Sequence, residues 1–202
     1  MRVAERQKAT AAGFRLLAVS LLGFFLLVQD AGAVFVKLPN PVPLQEESIN
    51  YLRTASALDA DQWKLVVFGF SHCSDICPRS LKNMASLVGV ASEQEIRLDG
   101  VFVTVDPDRD TDKILAAHTA PLGKGTSYLR LEGEALERFK DEFGVEAVFY
   151  TKNRGNAFHY QVDHSSTAFL IDPSGKIRVV FDALEDVEPA AEMFRQQGGF
   201  FQ

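Results

Sequence analysis

The chain has 202 residues, 47% of them hydrophobic and 24% charged, with a formal net charge of −6; that is enough for one sizeable core and too mixed for a disordered or wholly membrane-embedded chain. Residues 1–33 hold four basic side chains (Arg2, Arg6, Lys8, Arg15) and two acidic ones (Glu5, Asp30), which leaves −8 on the remainder. A body that acidic is unsuited to gripping nucleic-acid phosphates.

The first element is an export segment. The basic side chains precede an unbroken apolar run over residues 16–28, whose only polar member is Ser20, and Ala31 and Ala33 then have the small-x-small spacing that a signal peptidase accepts. Residues 1–36 are therefore read as a signal peptide or as an N-terminal hydrophobic helix that anchors the protein in a membrane. In both cases the basic flank stays in the cytoplasm and the rest is exported, to the periplasmic side of the inner membrane.

Residues 37–62 are rich in proline, polar and acidic side chains without clear periodicity, and read as a lead-in, partly loop, to a domain over 63–202. Residues 63–70 (WKLVVFGF) form a short apolar run with the composition of a strand buried on both faces. A helix follows, with Pro78 in its first turn and Leu81, Met84, Leu87 and Val88 on one face. Residues 101–105 predict a second buried strand and 111–120 a helix; 127–131 predict a strand and 133–143 an amphipathic helix stopped at Gly144. Residues 147–150, 167–171 and 177–181 read as strands, the last two joined by Asp172-Pro173-Ser174-Gly175 as a hairpin, and 187–197 as a closing helix. The order predicts an α/β domain with a central mixed sheet flanked by helices.

The only two cysteines, Cys73 and Cys77, lie four apart between a buried strand and a helix start. So short a loop would constrain the unfolded chain little, which argues against a structural staple. If Cys77 sits in the first helical turn, unpaired N–H groups and the helix dipole favour its thiolate. A thiolate attacks disulfides, and as a soft donor it selects Cu(I) or zinc. Two sulfurs leave a metal site short of a third ligand, for which there are four histidines. His72 adjoins Cys73 and reads as surface or as a neighbour that supports the site; His118 and His159 have no feature that singles them out. His164, in Asp163-His164-Ser165-Ser166 just before a buried strand, can meet the cysteine loop across the sheet end, with Asp163 and the serine hydroxyls available to orient its ring or to cap a turn. Met84, on the core-facing stripe, reads as packing.

Four segments in this order, Phe68 to Pro78 (FGFSHCSDICP), Val103 to Thr111 (VTVDPDRDT), Val162 to Ser165 (VDHS) and Leu170 to Lys176 (LIDPSGK), resemble the Sco/SenC family of copper-handling proteins. The resemblance covers about residues 63–182 and implies a thioredoxin-like fold behind an N-terminal membrane helix. It also implies a copper ion held by Cys73, Cys77 and His164, in assembly of the dinuclear copper centre of cytochrome c oxidase. The partner so implied is the copper-bearing subunit of the oxidase or another copper chaperone. Ser74 stands where proline is common in the family, and the usual Gly-rich hairpin pattern is missing before Trp63. A metallochaperone is the leading expectation, an exported thiol–disulfide oxidoreductase acting on the cysteines of that centre the alternative, and a thiol peroxidase a minor one.

Overall fold

A computed structural model describes residues 35–55, 62–73, 76–151 and 160–201. The export segment, except for its last two residues, lies outside them, as does His159. Among the described residues no helix is long and apolar enough to cross a membrane.

In chain order the elements are β1 (Val36–Pro43), α1 (Glu46–Ala55), β2 (Trp63–Gly69), α2 (Ile76–Glu93), β3 (Leu98–Thr104), α3 (Asp112–Thr119), β4 (Thr126–Leu129), α4 (Gly133–Phe143), β5 (Ala147–Thr151), β6 (Tyr160–His164), β7 (Thr167–Ile171), β8 (Lys176–Asp182) and α5 (Val187–Gln196). Six strands form one mixed sheet in the order β1-β8-β7-β2-β3-β4, with β2–β3 and β3–β4 parallel and the other pairs antiparallel. Strand β2 lies inside it and is buried along its whole length, which is why its sequence is a continuous apolar run rather than an alternating one. Leu65 and Val67 point to one face, packing with Leu81, Met84 and Leu87 of α2 and Ala190 and Phe194 of α5. Val66 and Phe68 point to the other, against Leu52 of α1 and Leu136, Phe139 and Phe143 of α4. Each large side chain so buried is worth about 1.5–3 kcal/mol.

The helix over α4 has the predicted bounds, and α3 starts one residue after Thr111, whose hydroxyl accepts the Ile114 N–H. The lead-in differs from expectation, since residues 36–43 form a strand and 46–55 a helix. Antiparallel pairing with β8 makes β1 an edge strand, which accommodates Pro39, Pro41 and Pro43 because an edge does not require every N–H. Strand β6 was not assigned from the sequence either. Among the described residues it pairs with β5 alone, in a two-stranded sheet that shares no ladder with the six-stranded one.

The turn between β7 and β8 is built by Asp172, whose Oδ1 accepts the N–H groups of Ser174 (3.0 Å) and Lys176 (3.1 Å). Gly175 there has φ +81°, and a Cβ would lie 2.3 Å from Cδ1 of Ile49 in α1. Gly175→Ala is expected to lower the unfolding free energy by at least about 1–2 kcal/mol, the cost of a left-handed residue that carries a Cβ. Urea denaturation measures this, and an unchanged midpoint would contradict the turn geometry.

Candidate metal centre

The centre lies where β2 ends. Gly69 closes the strand, Phe70 turns into the core, and Ser71 and His72 lead to Cys73, whose N–H donates to the Phe70 carbonyl at 3.3 Å. Helix α2 then brings Cys77 back over the strand end at 1% exposure. A Cβ on Gly69 would stand 2.7 Å from the Phe102 ring and 3.1 Å from Cys77 Sγ, so the bare glycine makes the space that the sulfur uses.

Hairpin β5–β6 supplies the imidazole. Ala147 of β5 pairs with His164 at the end of β6, and the ring projects inward so that Nε2 lies 3.4 Å from Cys77 Sγ. Its Nδ1 is 2.9 Å from the Ser165 carbonyl, which can only accept. In the neutral ring Nδ1 therefore carries the proton, and Nε2 turns a lone pair toward the sulfur. The Phe70 ring meets the imidazole edge-on, at 5.9 Å between centroids and 82° between planes. Ser165 thus orients the ring through its backbone rather than its hydroxyl, while the Ser166 hydroxyl donates to Asp182 and Asp163 is exposed.

Both cysteines are free thiols, in different surroundings. Cys73 is half-buried, and its sulfur accepts the Cys77 backbone N–H at 3.4 Å, so the helix start serves Cys73. This corrects the expectation that the helix would favour a thiolate at Cys77. Burial pushes the Cys77 thiol up to about 12, with the neighbouring Cys73 and Asp110 adding to the rise and a hydrogen bond with the Phe70 backbone opposing it. Among the described residues no three His, Cys, Asp or Glu side chains stand close enough together to hold a metal ion. Cys77 and His164 meet, while the Cys73 sulfur is turned to the helix backbone.

The other sequence candidates fall into place around this pair. His72 is exposed, with Nδ1 3.0 Å from Ser71 Oγ and 3.5 Å from Asp110 Oδ1. Met84 is core packing, and His118 lies against Phe102 at 5.8 Å between ring centroids. Sequence reasoning missed the carboxylates beneath the loop. Fully buried Asp110 accepts the Ser71 N–H at 3.0 Å, the Ser71 hydroxyl, and the Thr104 hydroxyl at 2.6 Å. Asp106, also buried, accepts Arg109 Nε and the Tyr160 hydroxyl, the latter at 2.5 Å. Burial and the Asp106 carboxylate raise the Tyr160 phenol to about 12, so it remains a donor. The signal for these residues was the acidic spacing in Asp106-Pro107-Asp108-Arg109-Asp110, which was visible without its partners.

The SCO1/SenC family profile matches residues 52–197. The SCO2-like protein RP587 of Rickettsia prowazekii is 31% identical over 135 residues, 66% of this chain and 64% of that protein. The chain spans about half to two-thirds of the length of the curated relatives it matches. Among solved structures, copper-bound ScoI of Arabidopsis thaliana superposes with a TM-score of 0.60 at 22% identity, over 78% of this chain and 98% of that one. Apo Sco1 of Thermus thermophilus gives 0.61 at 22% identity, over 83% and 96%. At that identity the superpositions establish a shared fold, the thioredoxin-like one.

The asymmetry of the sulfurs sets their reactivity. In the metal-free reduced protein at pH 7.5, iodoacetamide is expected to modify Cys73 at least about tenfold faster than Cys77, since the thiolate is the nucleophile and Cys77 is buried and protonated. Peptide mass spectrometry over a time course measures this, and equal rates would contradict the description.

Proposed function

The chain belongs to the SCO1/SenC family, and from that membership we propose that it is a copper metallochaperone whose cargo ion is held by the thiolates of Cys73 and Cys77 and the imidazole of His164. The observation that carries this reading is the 3.4 Å approach of His164 Nε2 to Cys77 Sγ, between groups 87 residues apart in the chain. Thiolate and imidazole together suit a soft ion such as Cu(I) and not the hard ions that prefer oxygen. Binding expels thiol protons, so loading the buried, protonated Cys77 releases a proton to solvent. The half-buried Cys73 is the donor that a recipient reaches first, which suits hand-over by exchange of one ligand at a time.

The recipient in this reading is the copper-bearing subunit of cytochrome c oxidase, or another copper chaperone. Residues 1–36, as signal peptide or anchor, deliver the domain to the periplasmic side of the membrane.

The unequal cysteines also favour a second reading, thiol–disulfide exchange with the cysteines of the recipient. Cys73 as thiolate attacks one sulfur of a partner disulfide, and the other partner sulfur leaves as a thiolate. Cys77, once deprotonated, then attacks Cys73 Sγ and expels the second partner thiolate. The partner gains two electrons, and this chain ends with a Cys73–Cys77 disulfide.

Titration of the reduced protein with Cu(I) against a competing chelator separates the two readings. One ion per chain is expected, lost on Cys73→Ser or Cys77→Ser and weakened at least tenfold, about 1.4 kcal/mol, on His164→Ala. Unchanged binding by His164→Ala would remove the histidine from the ligand set. Reduction of a partner disulfide without copper uptake would leave the exchange reading alone.

A further inference from the structure

Among the described residues, the two strands that carry His164 form no backbone ladder with the six-stranded sheet. At its His164 end the chain is held two residues on, where the Ala183 N–H donates to the Ser166 carbonyl at 2.8 Å and Thr167 enters the six-stranded sheet; at the far end of β6 from the imidazole, side chains hold the strand. Tyr160, Val162 and His164 alternate onto one face of the strand. Val162 is buried in the cluster that contains Phe70 and Cys77. Tyr160 covers Arg109, whose guanidinium carbon stands 3.6 Å from the centroid of the phenol ring. Arg109 Nη1 donates to the Tyr160 carbonyl at 3.1 Å, and Arg109 Nε donates to Asp106. The same guanidinium lies 5.5 Å from the centroid of Phe70, the ring packed edge-on against the imidazole.

Building on the ligand set proposed above, we propose that Arg109 is the positioning residue for His164: stacked between Tyr160 and Phe70, it fixes both the strand and the aromatic wall that set where the imidazole stands relative to Cys77. The roles need the planar fork of arginine. It sends one N–H to a carboxylate and another to a carbonyl while its face stays against a ring, and a lysine ammonium keeps the charge but cannot span those partners in one geometry. Stacking on Tyr160 adds a cation–π attraction that strengthens out of water. Asp106 supports the arrangement from below, since it also accepts the Tyr160 hydroxyl.

The test is a double-mutant cycle on Cu(I) affinity, measured by chelator competition, with Arg109→Lys and His164→Ala. Supporting residues of a metal ligand typically account for 10- to 100-fold in affinity, so Arg109→Lys is expected to cost about tenfold when His164 is present. In the His164→Ala protein the same change is expected to cost less than about twofold, as it has no ligand left to act through. Equal losses in both backgrounds would make Arg109 merely structural, and no loss in either would end the proposal. Tyr160→Leu, which removes the stacking platform, is expected to mimic Arg109→Lys, and Tyr160→Phe, which keeps the platform but gives up the hydroxyl bond to Asp106, to lose less than Tyr160→Leu. Should Arg109→Lys fail to fold, Tyr160→Leu takes its place in the cycle.

A second readout needs no metal. In the reduced apo protein, the nuclear Overhauser contact between the His164 ring and the Cys77 β-protons is expected to weaken in Arg109→Lys. Persistence at full strength would overturn the proposal. If His164→Ala alone leaves copper binding untouched, the ligand set fails, and this contact still decides the role of Arg109.

Discussion

The site depends on one approach, His164 Nε2 to Cys77 Sγ at 3.4 Å, made from a two-stranded sheet that, among the described residues, forms no ladder with the six-stranded one. The sulfur belongs to the packed core, since Cys77 of α2 is buried against the end of β2, in a niche kept open by Gly69. The imidazole is held by the Ser165 carbonyl at Nδ1, by Val162 in the core and by Phe70 at the ring edge, and Arg109 contacts the start of its strand. One donor is thus set by the scaffold and another by an arm whose position a few contacts decide. In the proposed reading, that combination suits both holding and releasing an ion, the holding part calling for donors carried on well-packed elements.

The two sulfurs divide the work in a way that their equal places in the sequence do not suggest. A helix start offers amide hydrogens, and the Cys77 N–H is used by Cys73 Sγ rather than by Cys77 itself. Cys77 loses more to desolvation than a helix dipole returns, and its thiol rises to about 12. A reactive outer sulfur and a protonated inner one fit both proposed readings, metal loading and disulfide exchange. Beneath them Asp110 anchors Ser71, so the loop enters the site from a fixed point two residues before Cys73.

Much of the fold was legible because local chemistry and tertiary role coincide. The apolar run at Trp63 is a fully buried strand, the amphipathic stripe ending at Gly144 is α4, and Asp172-Pro173-Ser174-Gly175 makes a hairpin turn through its own side chains. Strand β1 was hidden because its prolines argue against a strand, and only the long-range partner β8 makes it one. Strand β6 was hidden because its polar residues gain strand character from pairing with β5. At the site, the cysteine pair could be found from placement and His164 from the family motif. The stacking of Arg109 could not be read, since its ring partner Tyr160 stands 51 residues further along the chain.

The most direct measurement is X-ray absorption at the copper edge of the Cu(I)-loaded protein, compared with His164→Ala. The account predicts two sulfur scatterers and one nitrogen in the wild type, with the imidazole signature missing from the variant. A wild-type spectrum with sulfur ligands only, or one unchanged by the substitution, would contradict it.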